Sequence, residues 1–448
     1  MRKLFKKIFN PESLPKILFI LSLCVLSFAY GYLSLAGGLF PHSLITEAVA
    51  FIDEQFNKSE LPPYLSYTEY TTQVPVYDQN AAYNGLSLIA AAVEDRSLSA
   101  RIINMQGEIV HEWDIDWFDL WSDATHISQT DAAYPKMRPG TMIHGAVLLE
   151  NGDLIFNFNH LGMVRLDPCG NVVWRLGYRT HHKIYLDENG ILWVPGQINH
   201  DEPLPDLPNY EPFFIEPTVI KVSLEGELLK EISLIDVLQQ NDLNGLLNLS
   251  SIDQRLVNVT GDTLHLNDVE TFPAYLQEGA FKAGDIMVSL RNINTVLVFR
   301  EKDLKVTQVH TGTWVRQHDP DFIDGNTISV FDNYNIAPED FGQQSRIIIK
   351  SVKNGEHSVY FTGSAGQPFY TDIVGNHQWL PNGNLLITES VKGRAFEVDS
   401  QGVIVWEYVN LIEEGISGII DEVQRLPDLF TEEYLTSLTD HCQNDGTD

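Results

Sequence analysis

The chain has 448 residues, 44% of them hydrophobic and 20% charged, which is enough for a large core. Its 29 Lys and Arg face 61 Asp and Glu, a formal net charge of -32. That balance excludes binding of nucleic acid or anionic lipid through general electrostatics, and any anionic ligand needs a positive pocket of its own.

Residues 17–40 carry no charge and are long enough to cross a bilayer as a helix. Arg2, Lys3, Lys6, Lys7 and Lys16 precede the run, so segment 1–16 is expected in the cytoplasm. Segment 17–40 then reads as a signal anchor in the inner membrane, with the rest of the chain on the periplasmic side. A cleaved signal peptide is the competing reading, but the apolar run is long for one and lacks a clear small-x-small site. Cys24 lies in the run. Cys169 and Cys442 fall on the oxidising side, where they form one disulfide or stay as two free thiols. No C-x-x-C or other local metal signature is present.

Residues 41–83, with Pro62, Pro63 and Pro75, read as a membrane-proximal linker. From residue 84 the chain turns strand-rich, first in LSLIAAAVED and ARIINMQGEIVHEWDI. A phrase then recurs: a histidine, a short β-type run, a Gly turn and a second apolar run. It opens at His144, His182, His265, His318 and His377, at spacings of 38, 83, 53 and 59 residues. The longest gap holds the Pro-rich stretch 199–217 and a segment, 236–260, that looks helical. Each phrase is followed by a second strand–turn–strand, as in MVRLDPCGNVVWRL and AFEVDSQGVIVWEYVN. Two hairpins make one four-stranded antiparallel blade, so residues 84–410 predict an all-β fold, a six-bladed β-propeller. Five or seven blades stay open. Residues 411–448 read as a helical tail. Equivalent positions in a cyclic repeat surround one axis, so histidines far apart in sequence are expected to converge.

The motifs HLNDVETF, GDIMVSLRNINTVLVF, VRQHDPDFIDGNTISVFDN and NHQWLPNGNLLITESVKGRAFEVDSQGVIVWEYVN resemble the bacterial arylsulfotransferase family. The resemblance implies a six-bladed wheel whose funnel gathers histidines and an arginine. It implies transfer of a sulfuryl group from an aryl sulfate to a phenol through a sulfated histidine, with no nucleotide sulfate donor and no cofactor. One departure stands out. The family carries an arginine shortly after its FDN segment, whereas FDNYNIAPEDFGQQSR places Asn333 and Asn335 there and Arg346 well beyond.

The chemistry can be argued from residue types alone. Neutral imidazole is a nucleophile near neutral pH, cations or N–H groups stabilise anionic oxygens, and a second imidazole can donate the leaving-group proton. His377, in the position that resembles the family's nucleophile region, is then the expected nucleophile, with His318 and His265 as acid/base or oxygen donors. Asn267, Arg291 and Arg316 are the substrate-binding candidates. His144 and His182 stand open between structural and functional roles, and Asp268, Asp319 and Asp321 can simply close turns. Two other readings remain: a propeller enzyme whose histidines bind a metal, and a non-catalytic, membrane-tethered binding module. Oligomeric state is not legible.

Overall fold

A computed structural model of the chain describes residues 14–37, 61–62, 64–94, 97–129, 131, 133–250, 257–337, 341–439 and 442. It divides into two compact units, Met1–Pro62 and Pro63–Asp448. In the first, Leu14–Gly37 is one 24-residue α-helix. Its stretch Leu14–Tyr32, with a mean hydropathy of 1.8, is long and apolar enough to cross a membrane or to serve as an export signal. The basic residues 2–7 and the linker residues 41–60 lie outside the described residues.

The second unit is all-β. Among the described residues six sheets of four or more strands follow one another along the chain, antiparallel but for one parallel pairing, of Val259–Gly261 with Tyr210–Ser223. Their innermost strands are Ile420–Arg425 in sheet one, Ile143–Leu148 in sheet two, Tyr185–Leu186 in sheet three, Leu266–Thr271 in sheet four, His318–Asp324 in sheet five and Asn376–Trp379 in sheet six. The apolar core is divided in the same way, into six clusters, each filled by two successive sheets. One of them, with Ile89, Ile103, Leu386, Trp406 and Val423, joins the last sheet to the first. Middle strands such as Asp285–Leu290 are buried on both faces, whereas the outer strand Val306–Thr311 alternates half-buried and exposed positions.

The polar turns repeat one device. Asn104, Asp167, Asp187 and Asp399 each accept backbone N–H groups two and four residues on. A glycine at positive φ completes each turn, at Gly107, Gly170, Gly190 and Gly402. This is why D-x-x-G recurs in the hairpins.

Two sequence-based boundaries need correction. The segment read as a helical tail opens as strand: among the described residues Leu411–Glu413, Ile416–Gly418 and Ile420–Arg425 precede one short helix, Glu432–Thr439. The last of these strands pairs with Ser87–Val93 and completes the first sheet. A β-bulge between Ile420 and Glu422 stretches the apolar spacing from two residues to three, and Ile420, Val423 and Leu426 then imitate a helical period. The linker, for its part, is woven into the fold. Leu65–Tyr67 pairs with Ile416–Gly418, and Val76–Tyr77 adds an outer strand to the sixth sheet. Inside segment 236–260 the described helices are Leu234–Gln240 and Asn244–Leu247. Cys169 and Cys442 form a disulfide that ties a turn of the second sheet to the C-terminal segment.

Candidate active site

A cavity of about 30 Å³ lies where the inner strands meet, and every sheet contributes to its wall. Consecutive residues supply it: His144 and Gly145, His182 and Lys183, Asn267 and Asp268, His318 and Asp319, Gly375 and Asn376, Asp421 and Glu422. A flat strand would send successive side chains to opposite faces. Four of the inner strands avoid this with a β-bulge at the same level, at Ile143/Ala146, Leu266/Asp268, His318/Pro320 and Ile420/Glu422. Each bulge re-aims one side chain toward the centre. Gly145 is required for a second reason. A Cβ there would stand 2.3 Å from the carbonyl oxygen of His182. That close approach lets the rings of His144 and His182 sit 4.0 Å apart, centroid to centroid.

The level around His182 is rich in imidazole. His265 and His318 lie 5.1 and 6.3 Å from the His182 ring, which His181 meets edge-on, with His160 tilted against His181. Three of these histidines are held at Nδ1 by an oxygen: His144 by Asp421 at 2.6 Å, His318 by Asn333 at 2.7 Å, and His265 by Asp262. The Nε2 atoms of His318 and His265 are buried without a hydrogen-bond partner, as is Oδ1 of Asn267. Burial pushes the imidazoles down: His318 to about 3, where Arg291 adds to the effect, and His160 to about 4. His265 is lowered as well, burial outweighing Asp262. Arg291 is itself half-buried and lowered to about 10 by burial and by Arg316. Arg316 is exposed and donates to Asn292 Oδ1, so it stands outside the cavity.

The adjoining level is carboxylate-rich. Lys183 Nζ pairs with Asp319 and lies 3.4 Å from Asp321, while Asp268, Glu270 and Glu422 complete its surroundings. Burial lifts Asp268 and Glu270 well above the usual carboxylate range and Glu422 to about 7. Burial opposes ionisation of Asp319 as well, but Lys183 and His377 hold it below its usual value. Asp319, Asp321 and His377 bring their donor atoms within 4.8 Å of one another, close enough to hold a metal ion. The Lys183 ammonium already supplies a cation to both carboxylates.

His377 belongs to this second level and does not join the imidazole ring as the repeat phase predicts. The sixth inner strand has no bulge and keeps strict alternation, with Asn376 paired to Thr388 and His377 to Ile387. Asn376 therefore reaches the central cavity and His377 turns aside. Its Nδ1 lies 2.8 Å from Asp319 Oδ2 and its Nε2 2.7 Å from Ser329 Oγ. Burial would lower this histidine, but Asp321 and Asp319 overcome it and raise it above its ordinary value. The order Asp319–His377–Ser329 is that of a nucleophile triad. Ser329, however, has no exposed surface, and the Trp379 indole also donates to its Oγ.

Of the residues singled out from sequence, His265, His318, Asn267 and Arg291 come together; Arg316 and His377 do not. Sequence reasoning left His182 open and missed Lys183, Asp262, Asn333 and Asp421 as parts of the site. Asp421 occupies in the first sheet the place His144 and His318 hold in theirs, and the misread strand concealed it.

An all-β unit of successive four-stranded sheets with an imidazole-lined cavity at their centre defines the class. The chain belongs to the arylsulfotransferase (ASST) family, whose model matches residues 145–411, more than half of the sequence. No curated protein matches it. Among solved structures, a protein of unknown function from Bacteroides caccae is 13% identical, covering 74% of this chain and 97% of its own at a TM-score of 0.45. A virginiamycin B lyase from Staphylococcus aureus, in a catalytically inactive form with quinupristin, is 10% identical over 78% and 89%, with a TM-score of 0.38. The WD40 β-propeller domain of Doa1 is 9% identical over 80% and 96%, with a TM-score of 0.40.

Proposed function

We propose that the second unit is a six-bladed propeller that moves a sulfuryl group from an aryl sulfate to a phenolic acceptor, with His318 as the residue transiently sulfated. The observation that carries this reading is the unpartnered Nε2 of His318, buried at the wall of the central cavity within reach of the Arg291 charge. His318 takes the role that the family resemblance assigns to His377, whose Nε2 is bonded to Ser329 Oγ and whose Nδ1 faces the Asp319 carboxylate at 2.8 Å. A neutral imidazole with a free lone pair can attack sulfur. Arg291 and Asn267 are the groups proposed to meet the sulfuryl oxygens, a stabilisation typically worth several kcal/mol. The chemistry calls on no cofactor.

The helix Leu14–Gly37 is proposed as a signal anchor in the inner membrane, with the propeller on the periplasmic side. The Cys169–Cys442 disulfide supports that placement, because such bonds persist in oxidising compartments. The test is intact-mass analysis of the full chain after exposure to 4-nitrophenyl sulfate, with 4-nitrophenol release followed in the presence of phenol. A sulfate adduct that survives His377→Gln and vanishes in His318→Ala is expected. Folded protein that gives neither adduct nor 4-nitrophenol across several acceptors would overturn the reading.

A further inference from the structure

We infer that Asn333, Asp262 and Asp421 are positioning residues that divide the labour among three ring histidines: the amide partner keeps His318 a neutral nucleophile, and the carboxylate partners make His265 and His144 the groups that give and take the proton. The inference rests on the sulfuryl-transfer reading above and assigns roles within it.

The hydrogen-bond chain fixes the tautomer of His318. Asn333 Nδ2 donates to the carbonyl oxygens of Thr371, at 3.0 Å, and Val374, at 2.7 Å, so both its hydrogens are committed. Its Oδ1 can only accept, and the partner at 2.7 Å is His318 Nδ1. His318 therefore carries its proton on Nδ1 and a lone pair on the buried, unpartnered Nε2. An amide adds no charge. Protonated His318 would face Arg291, His144, His182 and His265 with no anion bonded to its ring.

The other two partners are charged. Asp421 accepts from His144 Nδ1 at 2.6 Å and from the Gly145 N–H at 2.7 Å. Asp262 accepts from His265 Nδ1 and from the His265 N–H at 3.0 Å. Each carboxylate fixes the Nδ1–H form and can stabilise an imidazolium when one forms, the role an aspartate plays behind a general-base histidine. The charges facing His265 are Asp262, Arg291 and the rings of His144, His160, His181, His182 and His318. Those facing His144 are Asp421 and the rings of His160, His181, His182, His265 and His318.

In the first half-reaction the His318 Nε2 lone pair forms the N–S bond as the S–O bond to the aryl oxygen breaks. That bonding pair leaves with the oxygen, which takes a proton from the imidazolium of His265 or His144, for His265 the minor form because burial outweighs Asp262. In the second, the acceptor phenol forms an O–S bond, the N–S pair returns to Nε2, and the phenolic proton passes to the same neutral imidazole. The sulfated ring is cationic. An amide partner leaves that charge unstabilised and the group labile, whereas a carboxylate would hold it.

Exchanging the partners tests this in the full chain. Asn333→Asp is expected to raise the acid limb of the first half-reaction by ~1–3 pH units and to increase the steady-state sulfate adduct severalfold as the second half slows. Asp262→Asn or Asp421→Asn is expected to slow turnover of phenyl sulfate by about 10²-fold or more, and of 4-nitrophenyl sulfate far less, because its leaving group needs little protonation. A purely structural role would slow both substrates alike, and that result would overturn the inference. So would an unmoved pH profile in Asn333→Asp. If Asn333→Asp does not fold, the ring-nitrogen resonances of ¹⁵N-histidine-labelled wild type decide: Nδ1–H at His318 supports the inference and Nε2–H ends it. Absence of any sulfate adduct in wild type counts against the transfer reading instead, and leaves the tautomer result standing.

Discussion

His318 and His377 open neighbouring inner strands with nearly the same sequence phrase, and their surroundings are opposite. His318 opens a strand that bulges at this first residue, keeps one nitrogen free and is pushed down to about 3. His377 sits one step further along an unbulged strand, binds carboxylates and is raised. A shared motif places the backbone, while a one-residue bulge decides whether the imidazole keeps a free nitrogen at the cavity or becomes an ion-pair partner.

The sharpest way to break the comparison is through activity. His318→Ala is expected to lower sulfuryl transfer by ~10³-fold or more, and His377→Gln by less than about tenfold, measured as kcat/KM on one aryl sulfate. Equal losses would erase the distinction.

Stability offers the next test. Lys183→Met leaves the surrounding carboxylates without their cation and is expected to cost ~3–5 kcal/mol in urea unfolding. His318 and His377 should also tilt the pH dependence of stability in opposite directions. The folded pKa of His318 lies below its unfolded value near 6.5, so the unfolded chain binds more protons and stability falls as pH drops from ~6.5 toward ~3. His318→Asn should therefore lose about 2 kcal/mol less than wild type between pH 7 and pH 5. The folded pKa of His377 is raised, so its contribution is complete below ~6.5 and is lost as pH climbs through the folded value. His377→Gln should flatten the alkaline decline. The smallest effect is expected from Trp379→Phe, which removes one indole donor to Ser329 and should cost about 1 kcal/mol in thermal or urea unfolding.

The sequence made the hairpin repeat readable because alternation and D-x-x-G turns are local signals. His265 and His318 were legible on the same basis, as residues at a fixed phase of the repeat, Asn267 by its two-residue spacing from His265, and Arg291 as a cation within a family-like motif. Bulges were not. They leave no mark in an apolar–polar pattern except a shifted period, and that shift turned Ile420–Arg425 into an apparent helix, while the sixth inner strand, which has no bulge, turns His377 away from the centre. The carboxylates around Lys183 were invisible for another reason. Asp268, Glu270, Asp319, Asp321 and Glu422 come from three separate sheets, and only their assembly makes them a charged level.

The clasp between Ser87–Val93 and Ile420–Arg425 ties manufacture to competence. Until residue 425 has been made, the earliest sheet keeps a bare edge, the kind of surface that invites mispairing with other chains. The same late strand delivers Asp421 to His144. A polypeptide cut short anywhere before it would lack both the strand that completes the first sheet and one oxygen partner of its imidazoles, so closing that sheet and completing the hydrogen bonds of the cavity are one event.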